Sequence, residues 1–139
     1  MMTINDPGVM AEIEAAFAAY EAALMTNDIA ALDDLFWNAP QTLRYGVGEN
    51  LYGFEAIAQF RKHRPGGSPQ RVLRNTVVTT YGADVATANT EFLREGSGRI
   101  GRQSQTWLRT EQGWRVVGIQ ALTLDIDMNP PCLADVWPR

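Results

Sequence analysis

Residues 99–125 run R-I-G-R-Q-S-Q-T-W-L-R-T-E-Q-G-W-R-V-V-G-I-Q-A-L-T-L-D, two long alternating stretches on either side of Thr110-Glu111-Gln112-Gly113. Alternation with a period of two marks a half-buried strand, and a polar tetrad closed by Gly marks a turn, so this segment predicts a hairpin. With Arg109 opposite Trp114, the register puts Gln103, Gln105 and Trp107 on one face with Trp114, Val116, Gly118, Gln120 and Leu122. Thr106, Leu108, Val117, Ile119 and Ala121 then share the other face. The first face mixes tryptophans with amides, and buried amides need hydrogen-bond partners. Such a wall suits a pocket for a small polar ligand, whereas a plain sheet core would carry Val and Ile there.

The chain before this hairpin supplies its cover. Asp6-Pro7 is a helix cap followed by the favoured first residue, and Val9, Ile13, Phe17, Tyr20 and Leu24 form one apolar stripe behind it. Tyr20 therefore faces inward with a hydroxyl that needs a polar site. Thr26-Asn27-Asp28 ends that helix and caps a shorter one, I-A-A-L-D-D-L-F-W, which stops before Pro40. Two short strands, Q-T-L-R-Y and N-L-Y, flank Gly46-Val47-Gly48-Glu49, and a third helix over 54–64 ends at Pro65-Gly66-Gly67. Strands over 71–81 and 84–95 then lead into the hairpin, with turns at Gly82-Ala83-Asp84 and Gly96-Ser97-Gly98. Helices first and a long curved sheet afterwards predict an α+β fold, three N-terminal helices packed on a mixed or antiparallel sheet to form a cone with a pocket. Residues 1–126 are expected to form that domain and 127–139, rich in proline, an extended tail.

Composition narrows the function classes. A chain of 139 residues with net charge -4 is one domain without the basic face that nucleic acid or an anionic membrane requires. No apolar run reaches the roughly 20 residues of a membrane span, and the first residues lack a signal-peptide pattern, so a cytoplasmic location is expected. The single cysteine, Cys132, lies in the tail and reads as a bystander thiol. One histidine, His63, and no cysteine cluster argue against a metal site, and no phosphate loop or nucleophile motif points to a cofactor. His63 belongs to R-K-H-R at a helix C-terminus, where positive charge is favoured by the helix dipole and needs no other role.

The strings D-x-x-A-L-D-D-L-F-W, R-Y-G-V-G-E-N-L-Y-G, L-R-N-T-V-V-T-T-Y-G, A-N-T-E-F and G-R-Q-S-Q-T-W are spread over residues 28–107. With G-W-R-V-V-G-I-Q and the first helix they resemble the AtzH/HpxZ-like group of the SnoaL-like, nuclear transport factor 2-like superfamily, whose fold is a cystatin-like α+β cone. Members of that group accompany amidase-type hydrolases in the breakdown of cyanuric acid and oxalurate, and the AtzH type is described as a decarboxylating enzyme acting on carboxylated urea. The resemblance thus implies a cofactor-free enzyme that converts 1,3-dicarboxyurea to allophanate, with Tyr20 and Arg44 as its catalytic pair. It leaves open a non-catalytic accessory protein that binds a ureido acid or oxalurate and partners an amidase. HpxZ-like relatives carry a His where Gln120 stands, so a mechanism that needs an imidazole there does not transfer.

Each candidate has a plainer reading. Arg44 offers a rigid fork for a carboxylate or a urea oxygen, or forms a structural ion pair with Glu49 or Glu91. Tyr20 donates a proton or sits in the core with its hydroxyl on a backbone carbonyl. Glu91 and Asn89 share a strand face expected to continue into Gln103 and Gln105, unless the register slips by one residue. Asn89, Glu91, Gln103, Gln105, Trp107 and Gln120 are the expected substrate-binding set, and Trp107 could equally be core. The apolar residues of the second sheet face lead us to expect a homo-oligomer, at least a dimer.

Overall fold

The computed structural model describes residues 1–124. Helix α1 spans Pro7–Thr26, and the Asp6 carboxylate caps it by accepting from the backbone N–H groups of Gly8 and Val9. Asn27 adopts the left-handed conformation that closes α1, and Asp28 caps α2, Ile29–Leu35. Short strands β1, Leu43–Tyr45, and β2, Asn50–Tyr52, precede α3, Phe54–His63. Four long strands follow: β3, Arg71–Tyr81; β4, Val85–Arg94; β5, Ile100–Thr110; and β6, Gly113–Leu124.

These strands form one open sheet in the order β2-β1-β6-β5-β4-β3. Every neighbouring pair is antiparallel except β1 with β6, so the sheet is mixed. The expected α+β cone is thus found, with the three helices packed on the concave face. Ile13, Phe17, Tyr20 and Leu24 of α1, Leu32 of α2 and Ile57 of α3 are buried against Ala86, Ala88, Trp107, Trp114, Val116 and Ile119 of the sheet.

Two register details depart from expectation and decide which side chains reach the interior. Arg109 does pair with Trp114 and Trp107 with Val116, but Thr106 pairs with Gly118, which makes Val117 the extra residue of a β-bulge. A bulge bends the strand and reverses the facing of everything beyond it. Ile119 therefore turns inward and is 5% exposed, while Gln120 and Leu122 turn outward, the reverse of the unbroken alternation. In β4, Ala86, Ala88, Thr90 and Phe92 face inward, with Thr90 opposite Gln103 and Ala88 opposite Gln105. Asn89 and Glu91 lie one residue out of phase, opposite Ser104 and Arg102 on the convex face.

Candidate active site

Beneath the C-terminal half of α1, a cavity of about 280 Å³ opens among Tyr20, Arg44, Glu49, Arg71, Arg94 and Gln103. Arg44 reaches it from β1, held by register between Leu51 and Ile119. Its Nη1 donates to Glu49 Oε1 across the 46–49 loop. A Cβ on Gly46 would overlap that oxygen, so a side chain there would have to displace the Glu49 carboxylate from Arg44. Nε and Nη2 of Arg44 make no hydrogen bond among the described residues, which leaves part of the fork open to the cavity. Of the two structural partners considered for Arg44, Glu49 is the one found.

Tyr20 is 3% exposed, with its ring edge-on to Trp107 at 6.4 Å and tilted on Phe36 at 6.1 Å. The packing fixes the ring on the cavity wall, and no residue described here hydrogen-bonds its hydroxyl. Gln103, 4% exposed, accepts from Arg71 Nη1 at 3.1 Å. Arg71 in turn donates from Nε and Nη2 to both oxygens of Glu21 at 2.9 and 2.7 Å, a side-on bidentate pair.

Five guanidinium groups converge on this region, and aromatic rings carry them. Arg44 and Arg64 lie over Phe60, Arg61 over Phe36, and Arg71 and Arg94 over Phe92, at 4.7 to 5.5 Å from the ring centroids. Three have carboxylate partners: Arg44 with Glu49, Arg61 with Asp33 at 2.5 Å, and Arg71 with Glu21. Arg64 and Arg94 have none among the described residues, and the Nε of each is buried without a hydrogen-bond partner. Burial lowers the pKa of Arg61, Arg64 and Arg94. Neighbouring arginines push the same way: Arg44 and Arg61 on Arg64, and Arg71 and Arg44 on Arg94. An arginine nonetheless stays charged at neutral pH. An acidic protein thus holds a local excess of positive charge beside a small cavity, an arrangement able to attract an anion.

A larger, more open cleft of about 810 Å³ lies elsewhere, between Asp33, Asp34, Trp37, Arg109 and Arg115. Its arginines are already matched, Arg115 with Asp34 and Arg109 with Glu12, so it offers no unpaired arginine to an anionic ligand.

Of the residues anticipated from sequence, the structure brings Tyr20, Arg44 and Gln103 together. Gln105 and Trp107 lie behind the wall: Trp107 is fully buried and its Nε1 donates to Gln105 Oε1 at 3.0 Å. Asn89, Glu91 and Gln120 are corrections. Asn89 and Gln120 are exposed on the convex face, and Glu91 accepts there from Arg74 Nε at 3.1 Å and Asn75 Nδ2 at 2.9 Å. The one-residue phase of β4 and the bulge at Val117 account for all three. Gln120→Ala and Asn89→Ala are accordingly expected to leave turnover and ligand affinity within about twofold of the parent, since surface changes of this kind perturb little. A drop of tenfold in either assay would place the convex face in the site.

Arg61, Arg64, Arg71 and Arg94 are the residues sequence reasoning missed. The R-K-H-R cluster does more than complement a dipole: Arg61 is 5% exposed and turned onto Asp33 of α2, while Lys62 and His63 face solvent. For β4 a signal did exist, because Arg94 stands in phase with buried Phe92 and Thr90, where an outward charge is not expected. Among the described residues no group of three or more His, Cys, Asp or Glu side chains is placed to hold a metal ion, and no helix is long and apolar enough to cross a membrane. Cys132 and the tail lie outside the described residues.

Comparison with known proteins matches this architecture. A Pectobacterium atrosepticum protein of unknown function from the DUF3225 family is 52% identical, with TM-score 0.85 over 88% of this chain and 95% of that one. A cystatin-like fold protein from Burkholderia xenovorans is 42% identical, with TM-score 0.87 over 91% of this chain and 99% of that one. A nuclear transport factor 2-like superfamily protein from Salmonella enterica, 23% identical with TM-score 0.69 over 88% and 96% of the two chains, shares the fold. No curated protein matches the sequence. Residues 2–126 match the AtzH-like family, and the chain belongs to it.

Proposed function

We propose that this protein is a cofactor-free enzyme of ureido-acid catabolism that decarboxylates 1,3-dicarboxyurea to allophanate in cyanuric acid breakdown. The observation that carries this reading is the placement of Tyr20 and an incompletely used Arg44 on the wall of one small cavity with surplus positive charge. Loss of an N-carboxylate breaks the bond between nitrogen and the carboxyl carbon. Carbon dioxide departs, the electron pair stays on nitrogen, and one proton must be supplied there. No base is needed. The free edge of the Arg44 guanidinium holds the urea oxygen and stabilises the charge that develops on it. The Tyr20 hydroxyl gives its proton to the leaving nitrogen and recovers one from solvent. Packing against Phe36 and Trp107 holds the phenol in place, so part of the barrier is met by orientation.

A second reading, a non-catalytic accessory protein that captures a ureido acid such as oxalurate for an amidase partner, is favoured by one observation. Arg44 is already ion-paired with Glu49, as a purely structural arginine would be. The fold hosts enzymes as well as binding proteins, so architecture does not choose. Carbon dioxide release from freshly generated dicarboxyurea by the purified protein decides. Release above the spontaneous rate supports the enzyme, whereas thermal stabilisation by the ligand without release supports the accessory role.

We also infer a homo-oligomer, at least a dimer. The bulge moves Ile119 and Ala121 to the interior, so the support now comes from Val72, Val77, Val85 and Leu122, which are exposed on the convex face. Light scattering at micromolar concentration should give at least twice the 15.4 kDa chain mass, and a monomer mass would remove the idea.

A further inference from the structure

The catalytic pair leaves two donors of the cavity unused. Gln103 lies nine-tenths buried or more, and its amide orientation is fixed: Arg71 can only donate, so the atom it touches at 3.1 Å is the oxygen. The amide nitrogen, Nε2, is then turned away from Arg71 and is buried without a hydrogen-bond partner among the described residues. Arg94, the cross-strand partner of Arg71, has no carboxylate partner and an unpartnered buried Nε. Both side chains line the cavity. Arg71 cannot serve as the missing acceptor, because a guanidinium only donates.

We propose that Arg94 and the Gln103 amide nitrogen form a second carboxylate subsite, separate from Arg44 and Tyr20, that takes the carboxylate the substrate retains. This rests on the ureido-acid reading above and extends it: the preferred ligand is a dianion with a carboxylate at each end. An unpaired cation and an unpartnered amide donor are costly to bury unless an acceptor meets both. A carboxylate does so with its two oxygens, whereas a neutral amide or a water satisfies the amide but leaves the charge. Glu21 and Arg71 are positioning residues, since they hold the Gln103 amide with its oxygen on Arg71 and leave its nitrogen without a partner among the described residues. The assignment also divides the labour. Arg44, tied to Glu49 by one nitrogen, keeps its remaining edge for the urea oxygen, and the retained carboxylate is anchored elsewhere.

Calorimetry with glutarate, whose carboxylates are spaced as in a dicarboxylated urea, and with butyrate, its monocarboxylate counterpart, tests the subsite without any chemistry. At fixed ionic strength the parent is expected to bind glutarate on the order of 10- to 100-fold more tightly than butyrate, the range for one added charge-assisted contact. Arg94→Gln should bring that ratio to near one. Gln103→Glu retains a partner for Arg71 but opposes an incoming carboxylate, so it should remove the preference as well. On the parent protein, glutarate and not butyrate should shield Arg94 from phenylglyoxal, read by peptide mass spectrometry, a result that needs no variant to fold. The subsite is overturned if the parent does not discriminate, if either folded variant keeps the preference, or if Arg94 is modified equally with and without glutarate. Failure of the decarboxylase reading looks different: glutarate preference and shielding persist while dicarboxyurea is not turned over.

Discussion

Arg44→Lys is expected to lower turnover efficiency nearly as far as Arg44→Ala. The guanidinium has one nitrogen on Glu49, and in the proposed reaction its remaining edge serves the substrate oxygen. An ammonium keeps the charge but is a single point, and Glu49 would hold it. Losing one charge-assisted contact at the reacting end of a partly dry site costs roughly 2 to 4 kcal/mol, or on the order of 30- to 1000-fold in kcat/KM. Arg44→Ala also leaves the Glu49 carboxylate, 25% exposed, without its cation, so melting curves and the Arg44→Ala/Glu49→Gln double variant separate folding from chemistry. Tyr20→Phe removes only a hydroxyl that no described residue engages. It should therefore lower the rate on the order of 100-fold, within the usual range for a positioned proton donor, with an unchanged melting temperature. Parent-like turnover in Arg44→Lys would reduce its role to charge alone, and parent-like turnover in both variants would make the pair core packing.

What the sequence discloses and what it hides follow from the range of the interactions involved. The Asp6 cap, the turn at Thr110–Gly113 and the stripe that buries Tyr20 are local, each specified within a few residues, and all three appear in the fold. Arg44 could be singled out because it sits on a short strand between two helices and beside a Gly-rich loop. The bulge at Val117 has no such local mark: nothing in W-R-V-V-G-I-Q distinguishes a continuous strand from one with an extra residue, and the whole facing of Gln120 depends on it. Arg71 and Arg94 meet only because β3 and β4 pair, and Arg61 is turned inward by Asp33 on another helix. A cluster assembled from four separate segments is a property of the packing, so its surplus charge is invisible in a chain whose net charge is -4.

Gly101→Ala is expected to disturb fold and site together, because Gly101 is the floor on which the Phe92 ring lies. The two residues face each other across β4 and β5, and a Cβ at Gly101 would come within 2.1 Å of Phe92 Cζ. The ring is 1% exposed and cannot tilt away without opening a void. Overpacking of this kind costs roughly 1 to 3 kcal/mol. For a domain of this size that corresponds to a fall in melting temperature of about 4 to 10 °C. The backbone itself is not the obstacle, since Gly101 is absent from the glycines with positive φ, so the cost belongs to the ring contact. Arg71 and Arg94 also lie over the Phe92 ring, at 4.7 and 5.5 Å from its centroid, so a displaced ring should weaken glutarate binding more than butyrate binding. Phe92→Leu provides the check. It removes the clashing ring edge, so the Gly101→Ala/Phe92→Leu pair should be more stable than the sum of the single losses, by about 1 kcal/mol or more. Strict additivity in that cycle would show that the alanine meets something other than the ring.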